Sequence, residues 1–360
     1  MTDPTAGSFS WPDLLTRLLR GEDLTAEQAR WAMTSVMAGD ATPVQLAAFL
    51  TALRAKGESV AELRGLADVM LEFAHRIQGP SPAIDIVGTG GDRSHSVNIS
   101  TMAAIVTAST GLAVVKHGNR AASSSSGSAD VLEALGVNLT LTPAEVEALA
   151  HEVGLTFCFA QAFHPAMRHA AVARRELAVP TAFNVLGPLT NPAQPAYAAV
   201  GVADARMAPI IAGVFADRGR AAAVFRGDDG LDELTLATTS TLWWVREGSV
   251  TTYSLGAGDV GLESAPLEAL RGGEASYNAQ VARDLLDGVR GPVRDAVLLN
   301  AGMALAVRDV DAGHSTVVDQ GSLHAAVRRG IETAAAAVDD GRARTLLARW
   351  VAASNRGHSA

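Results

Sequence analysis

The stretch IDIVGTGGDRSHSVNIST, residues 84–101, joins a strand pattern, a glycine turn and the start of a helix. Its first four residues are rich in β-branched side chains, which predicts a buried strand. Three of the next four residues are glycine, which lets a ligand approach the backbone closely. Polar residues suited to a helix N-terminus precede the apolar run 102–106: Asn98, Ser100 and Thr101. Free N–H groups at a helix start bind anions, so the stretch predicts a phosphate site; a tight turn with an ordinary cap is the alternative.

The composition is that of a globular protein with a large core. The chain has 360 residues, 48% of them hydrophobic, which allows one large domain or two. A net charge of −9 argues against general nucleic-acid binding but not against a local phosphate pocket. Cys158 is the single cysteine, so an internal disulfide is excluded. Neither a signal-peptide pattern nor an apolar run of about 20 residues occurs, and we expect a soluble, cytoplasmic protein.

Residues 1–78 show helical periodicity and no convincing strand, which predicts a small helical domain. The predicted helices are Trp11–Leu19, a second one capped by Thr25 and Gln28, Thr42–Ala55 and Ser59–Ile77. Gly79 to Pro82 reads as a linker. We therefore place a domain boundary there, with a second domain over residues 83–360.

Beyond the linker, strand and helix patterns alternate, which predicts an α/β domain with a mostly parallel central sheet. The predicted strands are Leu112–Val115, Thr156–Ala160, Ala196–Val202 and Ala221–Phe225, with helices at Pro143–Val153 and Met207–Asp217. Two further strands, Thr241–Val245 and Val250–Leu255, form a predicted hairpin. From Asn278 onward the pattern is again largely helical.

A second polar stretch, KHGNRAASSSSGSADVLEALG at residues 116–136, follows directly on a predicted strand. Binding sites in parallel α/β folds lie at the carboxyl ends of strands. The stretch offers cationic and amide donors, hydroxyls and a helix start: Lys116, His117, Asn119, Arg120, residues 123–126 and Ser128. It predicts a second anion-binding loop, and a flexible serine-rich linker is the alternative.

An acidic stretch, GDDGLDE at residues 227–233, also follows a predicted strand. Its four carboxylates repel one another unless they are solvated or share a cation. Mg²⁺ prefers carboxylate oxygens together with substrate phosphates. Beside two anion-binding loops, the stretch favours a metal that bridges to a bound polyphosphate; a solvated acidic turn is the alternative.

A fourth stretch, HPAMRHAAVARR at residues 164–175, predicts a helix that starts at Pro165. Its helical spacing places Arg174 on one side with Met167 and Ala170. An arginine can bind a carboxylate with two parallel hydrogen bonds, but sequence alone leaves open whether Arg174 does so. We expect Arg168 and Arg175 to form a solvated basic face.

These motifs occur in the order seen in the anthranilate phosphoribosyltransferase family, which the chain resembles over nearly its whole length. The resemblance rests on GTGGD with NIST, KHGNRAASS with GSAD, HPAMRHAAVARRE, FNVLGPLTNP and GDDGLDE. It implies the fold of nucleoside phosphorylases and phosphoribosyltransferases: a small helical domain, a larger α/β domain and a hinged cleft between them. It also implies a homodimer through the helical domain, and it places the helix of Arg174 on the helical side.

The resemblance implies a site for phosphoribosyl pyrophosphate (PRPP) and one for anthranilate. The implied PRPP contacts are Gly88, Gly91, Asp92, Ser96, Asn98, Ile99, Ser100, Thr101, Lys116, His117, Gly118, Asn119, Arg120, Ala121, Ala122, Ser123, Ser124 and Ser128. The implied Mg²⁺ ligands are Ser100, Asp232 and Glu233, and the implied anthranilate contacts are Gly88, Asn119 and Arg174. Lys116 and Asp92 are the implied catalytic residues.

The implied reaction transfers the 5-phosphoribosyl group from PRPP to the amine of anthranilate, a step of tryptophan biosynthesis. A pyrimidine nucleoside phosphorylase is an alternative, but the lysine-histidine-serine pattern typical of that family is missing near Gly88. A non-catalytic nucleotide-sensing homologue is another, against which Lys116 and the acidic pair argue. The chain departs from the family at four positions, none of them an implied ligand: Arg93, His95, Val97 and Gln161.

Overall fold

The computed structural model describes residues 9–121 and 125–356. Its strands are β1 (Ala83–Gly88), β2 (Ala113–Gly118), β3 (Leu155–Phe159), β4 (Tyr197–Gly201), β5 (Ala221–Gly227), β6 (Thr239–Arg246) and β7 (Ser249–Gly256). Its helices are α1 (Trp11–Leu19), α2 (Ala26–Ala38), α3 (Pro43–Lys56), α4 (Val60–Glu72), α5 (Ile99–Ser109), α6 (Ser128–Ala134), α7 (Pro143–Val153), α8 (Ala160–Phe163), α9 (Ala171–Leu177), α10 (Met207–Asp217), α11 (Ala275–Leu286), α12 (Pro292–Asp311), α13 (Gln320–Asp339) and α14 (Arg342–Ser354).

The seven strands form one sheet in the order β3-β2-β1-β4-β5-β6-β7. The first five in this order pair in parallel, and the hairpin β6–β7 adds to β5 in antiparallel pairing. The predicted α/β class is therefore confirmed. In the register, Gly88 at the end of β1 pairs with Gly201 at the end of β4. Glycine thus lies at the carboxyl ends of two adjacent central strands, where the loops above can approach the sheet.

The first helices follow the sequence pattern closely. Thr25 caps α2 in a capping box with Gln28, as the sequence predicts. The fourth helix is shorter than predicted, since α4 ends at Glu72 rather than at Ile77. Three residues later the N–H of His75 donates to the carbonyl of Phe163 at 2.9 Å. A long-range backbone bond thus replaces the helical one, and periodicity does not reveal it.

The predicted helix over residues 164–175 is wrong as a single element. A 3₁₀-helix, Pro165–Ala170, comes first, and α9 begins only at Ala171. The N–H of Met167 bonds three residues back to the carbonyl of His164, the tighter winding typical of 3₁₀ structure. The 3₁₀-helix packs on α2, and α9 packs on α3.

The described residues bury their apolar side chains in two clusters. One lies between the sheet and the helices α5, α12 and α13, and it includes Ile84, Val114 and Leu299. The other contains the side chains of α1–α4, continues through α10, and includes side chains of β4 and β5. The helical bundle therefore shares a core with one face of the sheet. No helix in the described part of the chain has the length and apolar character needed to span a bilayer.

Candidate active site

The glycine turn after β1 has an unusual backbone path. Gly90 and Gly91 have φ of 71° and 88°, as their lack of a side chain permits. Arg93 and His95 also have positive φ, 60° and 54°, a conformation that L residues with side chains adopt at a cost. The loop therefore follows a left-handed path at two residues that carry side chains.

The N-terminus of α5 is not capped as the sequence predicts. Asn98 occupies the N-cap position, but its side chain makes no capping hydrogen bond. Instead the N–H of Ser100 donates to the Glu233 carboxylate at 3.0 Å. The partner comes from the acidic turn, 133 residues further along the chain. A carboxylate at a helix N-terminus is favoured by the helix dipole, so α5 and the acidic turn stabilise each other.

The four carboxylates of the acidic turn separate into two pairs. Asp228 accepts hydrogen bonds from the hydroxyls of Thr239 and Thr241, at 2.5 and 2.9 Å. Asp229 accepts from the Leu231 N–H at 3.1 Å and from the Thr235 hydroxyl at 2.7 Å. This first pair shapes the turn itself.

The second pair faces the two loops above the sheet. Asp232 accepts from the N–H of Gly90 at 2.6 Å, while Glu233 reaches α5. Burial raises the pKa of Glu233 to about 7, although Lys116 opposes the shift. Burial, together with the charges of Glu233 and Asp92, raises the pKa of Asp232 well above its usual value. Two buried carboxylates that repel each other form a site that a cation would stabilise.

Glycines leave room for this second pair. A Cβ added to Gly88 would lie 2.4 Å from the Asp232 carboxylate. A Cβ added to Gly201 would lie only 1.7 Å from the Asp232 carbonyl oxygen. Both glycines thus permit the acidic turn to lie directly on the strand ends. Gly88, which the resemblance implies as a substrate contact, packs here against a carboxylate.

Lys116 lies at the centre of the site and has only 2% of its surface exposed. Its ammonium donates to the carbonyl of Ile86 and, at 3.3 Å, to the hydroxyl of Ser100. Burial lowers the pKa of Lys116, although the charges of Asp85, Glu233 and Asp232 oppose this. Lys116 makes no ion pair within 4.0 Å among the described residues, so the ammonium has only neutral partners.

The sequence argument missed two residues whose side chains are hydrogen bonded to the backbone of β2, beside Lys116. Asp85 of β1 is buried and accepts from the N–H of His117 at 3.1 Å and from the Asn191 side chain at 2.8 Å. Asn191 donates a second hydrogen bond to the carbonyl of Val115 at 2.7 Å. Burial raises the pKa of Asp85 to about 6, opposed by Lys116 and these donors. Asn191 lies in the run PTAFNVLGPLTNPA, which thus acts as scaffold.

His117 forms a buried pair with His164, with ring centroids 5.1 Å apart. Each ring bonds one backbone carbonyl, His117 that of Gly187 at 2.9 Å and His164 that of Thr190 at 3.0 Å. The other ring nitrogens, Nε2 of His117 and Nδ1 of His164, have no partner in the described part of the protein. Burial lowers the two pKa values to about 3 and about 4, so both rings are neutral at pH 7. The sequence argument missed His164.

The second loop closes through Asp130 of α6. Its carboxylate accepts from the N–H of Gly127 at 2.8 Å and of Ala121 at 3.0 Å. Arg120, an implied PRPP contact, instead pairs with Asp130 and Glu133 at 3.0 and 2.6 Å. Three implied contacts lie outside the described residues: Ala122, Ser123 and Ser124.

The other implied contacts lie around these two loops. Asp92 accepts hydrogen bonds from the N–H and the hydroxyl of Ser94, and its negative charge contributes to the raised pKa of Asp232. Ser96 pairs through its backbone with Arg271. A Cβ on Gly118 would lie 2.6 Å from the Ser128 hydroxyl, so the end of β2 touches the start of α6. Ile99 and Thr101 are buried at the start of α5.

Two polar side chains have capacity left for a ligand. Asn119 is exposed and uses its side-chain oxygen to accept from the N–H of Arg120 at 2.8 Å. Arg174, in α9 on the helical side, is also exposed, and its guanidinium has no hydrogen bond or ion pair within residues 9–121 and 125–356. Partial desolvation of the guanidinium by neighbouring atoms lowers the pKa of Arg174.

Comparison with known families accounts for both parts of the molecule. Residues 12–74 match the helical bundle domain of a glycosyl transferase family, and residues 80–344 match the a/b domain of the same family. The chain is 59% identical over 346 residues to anthranilate phosphoribosyltransferase of Streptomyces griseus, a match that covers 96% of each chain.

Solved structures agree with this match. Anthranilate phosphoribosyltransferase from Thermus thermophilus superposes with a TM-score of 0.86 at 42% identity, over 95% of this chain and 99% of that one. The Saccharomyces cerevisiae enzyme in complex with PRPP and Mg superposes with a TM-score of 0.84 at 27% identity, over 96% and 98%. The chain therefore belongs to the anthranilate phosphoribosyltransferase family.

Proposed function

We propose that this chain transfers the 5-phosphoribosyl group of PRPP to the amine of anthranilate, giving N-(5-phosphoribosyl)anthranilate and pyrophosphate. The observation that carries the proposal is one cluster at the carboxyl ends of β1 and β2. There a buried lysine, which forms no ion pair with any described residue, and two buried carboxylates surround the start of α5. This arrangement suits a polyanion that brings a divalent cation with it.

PRPP lies across the two loops. Its proposed contacts are Gly88, Gly91, Asp92, Ser96, Asn98, Ile99, Ser100, Thr101, Lys116, His117, Gly118, Asn119, Arg120, Ala121, Ala122, Ser123, Ser124 and Ser128. Gly91 supports this role, since nothing lies within 4 Å of where its Cβ would be. Arg120 would have to give up its ion pairs with Asp130 and Glu133, so we expect it to contribute little to affinity.

Mg²⁺ is held by Asp232, Glu233 and the Ser100 hydroxyl. The donor set fits this ion, because hard carboxylate oxygens bind Mg²⁺ and their raised pKa values fall back when a cation binds. The described residues contain no group of three or more His, Cys, Asp or Glu that could bind a metal alone. Mg²⁺ therefore binds with PRPP, whose phosphates complete its coordination, and it neutralises charge on the departing pyrophosphate.

Anthranilate lies toward the helical side, in contact with Arg174, Asn119 and Gly88. The Arg174 guanidinium has no other partner in the described structure and matches a carboxylate in shape. Arg174 lies on α9, which packs on α3, and this supports an acceptor site on the helical side. The two substrates thus meet across the cleft between the helical bundle and the sheet.

The protein contributes charge stabilisation and positioning rather than a strong base. The aryl amine is neutral at pH 7, so it is already a nucleophile. As its bond to C1 of the ribose forms, the C1–O bond to pyrophosphate breaks, and the proton that the amine releases passes to the departing pyrophosphate or to water. The Lys116 ammonium stabilises the negative charge on the leaving group, and the Asp92 side chain positions the loop that holds it.

We also propose two domains, residues 1–78 and 83–360, a homodimer and a cytoplasmic location. The helical side carries exposed apolar residues suited to a subunit contact, with Leu19 and Val44 exposed to 79% and 78%. Cys158 is buried and free, which suits a reducing compartment.

One assay tests the reaction: loss of anthranilate fluorescence with the purified protein. We expect the loss only when PRPP and Mg²⁺ are both present. Turnover of thymidine with phosphate, but not of anthranilate, would identify a nucleoside phosphorylase instead. Binding of PRPP without turnover of either acceptor would identify a nucleotide sensor.

A further inference from the structure

Residues 270–272, between β7 and α11, are hydrogen bonded to the loop that follows β1. We name this loop, residues 89–98, the glycine loop. Ser96 and Arg271 form an isolated antiparallel bridge. The N–H of Val97 donates to the carbonyl of Leu270 at 2.9 Å, and the N–H of Gly272 donates to the carbonyl of His95 at 2.7 Å. The glycine loop therefore owes part of its shape to residues some 175 positions later in the chain.

Asn278 of α11 connects this segment to both substrate loops. Its side-chain oxygen accepts from the N–H of Gly273 at 2.8 Å, and its Nδ2 donates to Oδ1 of Asn98 at 2.9 Å. The Asn98 Nδ2 in turn donates to the carbonyl of Ser126 at 3.1 Å. We name the side chains of Asn98 and Asn278 the asparagine bridge. It joins the glycine loop to the loop between β2 and α6, residues 119–127, which we name the serine loop. Both side chains of the bridge are neutral amides.

The bridge is buried at Asn278 and half-buried at Asn98, and its hydrogen bonds determine the orientation of both amides. Only 2% of the Asn278 surface is exposed, so its amide must be hydrogen bonded to offset the cost of burial. A carbonyl at one end and an N–H at the other leave one orientation of the two amides that satisfies every group. The Asn98 side chain faces Asn278 and Ser126 in this way and makes no capping hydrogen bond to α5.

We propose that Asn278 is a positioning residue for PRPP, which sets the distance between the two loops through the asparagine bridge. This rests on the proposed function, in which one PRPP molecule contacts both loops. Within residues 9–121 and 125–356, Asn98 is the one implied substrate contact to which the Asn278 side chain is hydrogen bonded. Its loss should therefore weaken PRPP binding selectively, while the acceptor side on α9 is unaffected.

A substitution at Gly272 gives a second test of the distance between the two loops. A Cβ at this position would lie 2.8 Å from the Ser96 carbonyl oxygen and 2.9 Å from the Asn278 side-chain oxygen. Gly272→Ala should therefore displace the glycine loop from the bridge. Combined with Asn278→Ala it should add less than the two single effects, because both changes disturb one contact.

The experiment compares Asn278→Asp, Asn278→Ala and Gly272→Ala with wild type. Asn278→Asp preserves size but replaces the Nδ2 donor with an acceptor, so at least one bond of the bridge is lost whichever way Asn98 turns. Gln280→Ala is the control, since this exposed residue of the same helix bonds only within α11, to Asp284 at 2.7 Å. Both KM values, kcat and PRPP affinity by calorimetry with Mg²⁺ are measured, with thermal unfolding as the test of folding.

We expect the KM and Kd for PRPP to rise about tenfold in both Asn278 variants, with the KM for anthranilate within about twofold of wild type. Gln280→Ala should match wild type. Equal rises in both KM values, a fall in kcat alone, or PRPP affinity unchanged in a folded Asn278→Asp would overturn the positioning role. If wild-type protein binds PRPP but does not consume anthranilate, the proposed function fails, while the calorimetry still tests the bridge.

Discussion

Lys56 and Lys116 are the only lysines of the chain, and both are buried, yet their surroundings differ. The Lys56 side chain, 4% exposed, pairs with Glu62 at 2.9 Å and with Asp23 at 2.6 Å. Burial lowers its pKa, but hydrogen bonds to Asp23 and Glu62 outweigh this and the pKa rises. Among the described residues Lys116 has a carbonyl and a hydroxyl as its hydrogen-bond partners, and burial lowers its pKa.

The difference separates a structural cation from a functional one. Glu62 also accepts from the N–H groups of Leu24 and Ser59, at 2.8 and 2.7 Å, so the Lys56 network ties α3 and α4 to the loop before α2. Its ammonium is thus paired with carboxylates of the protein itself. At Lys116 two carboxylates and an ammonium lie close together without pairing, which costs stability and suits a charged ligand.

The largest effect should come from exchanging the two lysines for methionine. Lys116→Met removes the cation at the leaving group and should lower kcat/KM by about 1,000-fold. Lys56→Met leaves the buried Glu62 carboxylate without its cation and should lower the free energy of unfolding by about 3 kcal/mol. Steady-state kinetics and urea unfolding of both variants test the distinction. It fails if Lys116→Met keeps wild-type kinetics, or if a folded Lys56→Met loses activity to a similar extent.

The acidic turn allows the same contrast among carboxylates. Asp232→Asn with Glu233→Gln should lower activity about 100-fold and abolish its dependence on Mg²⁺ concentration. Asp228→Asn with Asp229→Asn is the matched control, since these side chains bond only within or beside the turn. We expect its Mg²⁺ dependence to remain that of wild type. Unchanged activity in the first double variant would contradict the metal role.

The raised pKa of Glu233 makes the metal requirement depend on pH. Its carboxyl has a pKa of about 7 rather than 4.5, so below neutrality a proton competes with the metal. The Mg²⁺ concentration for half-maximal activity should therefore rise several-fold as pH falls from about 8 to about 6. Titrations of Mg²⁺ at each pH measure this. A requirement that stays flat over this range would show that Glu233 is not a ligand.

Arg174 should have a smaller and more selective effect. Loss of a charge-assisted hydrogen bond costs roughly 1.5–3 kcal/mol, so Arg174→Ala should raise the KM for anthranilate about 10- to 100-fold. The KM for PRPP should change much less. Arg168→Ala and Arg175→Ala are controls from the same stretch. If Arg174→Ala behaves like them, or mainly weakens PRPP, the acceptor site is wrongly assigned.

Arg120 should have the smallest effect, because its guanidinium is already neutralised. It pairs with Asp130 and Glu133 and lies over the Phe159 ring, 5.5 Å from its centroid. Exposed pairs of this kind contribute about 0–1 kcal/mol, so Arg120→Ala should raise the KM for PRPP less than about fivefold. A rise as large as that of Lys116→Met would mean that the pairs exchange for phosphate on binding.

Local patterns predicted most of the fold and the residues of both loops. Periodicity predicted both ends of α1, α7 and α10 correctly, because amphipathic helices and their caps depend on residues that are close in sequence. The strand that carries Lys116 was located as well, although β2 continues to Gly118. The resemblance supplied the division between substrate sites, which no local pattern contains.

What the sequence did not reveal are contacts between distant positions. Glu233 caps α5 from 133 residues away, and Asn191 bonds Asp85 from 106. Asn278 reaches Asn98 across 180 residues. Each is a polar side chain in an otherwise ordinary helix or turn, and only the chain path brings it to its partner. A buried amide or carboxylate leaves no periodic signal that could predict it.

Because both lysine side chains are buried, the folded protein should react little with reagents that modify amines. Apart from the terminal amine, every surface cation is a guanidinium, so acylating dyes, aldehydes and amine-directed cross-linkers find almost nothing to modify. Lys116 can react only when reagent reaches its buried ammonium, and its lowered pKa then favours the nucleophilic free base. Acylation of this one residue, followed by mass spectrometry, therefore measures how often the site becomes accessible and whether a bound diphosphate protects it.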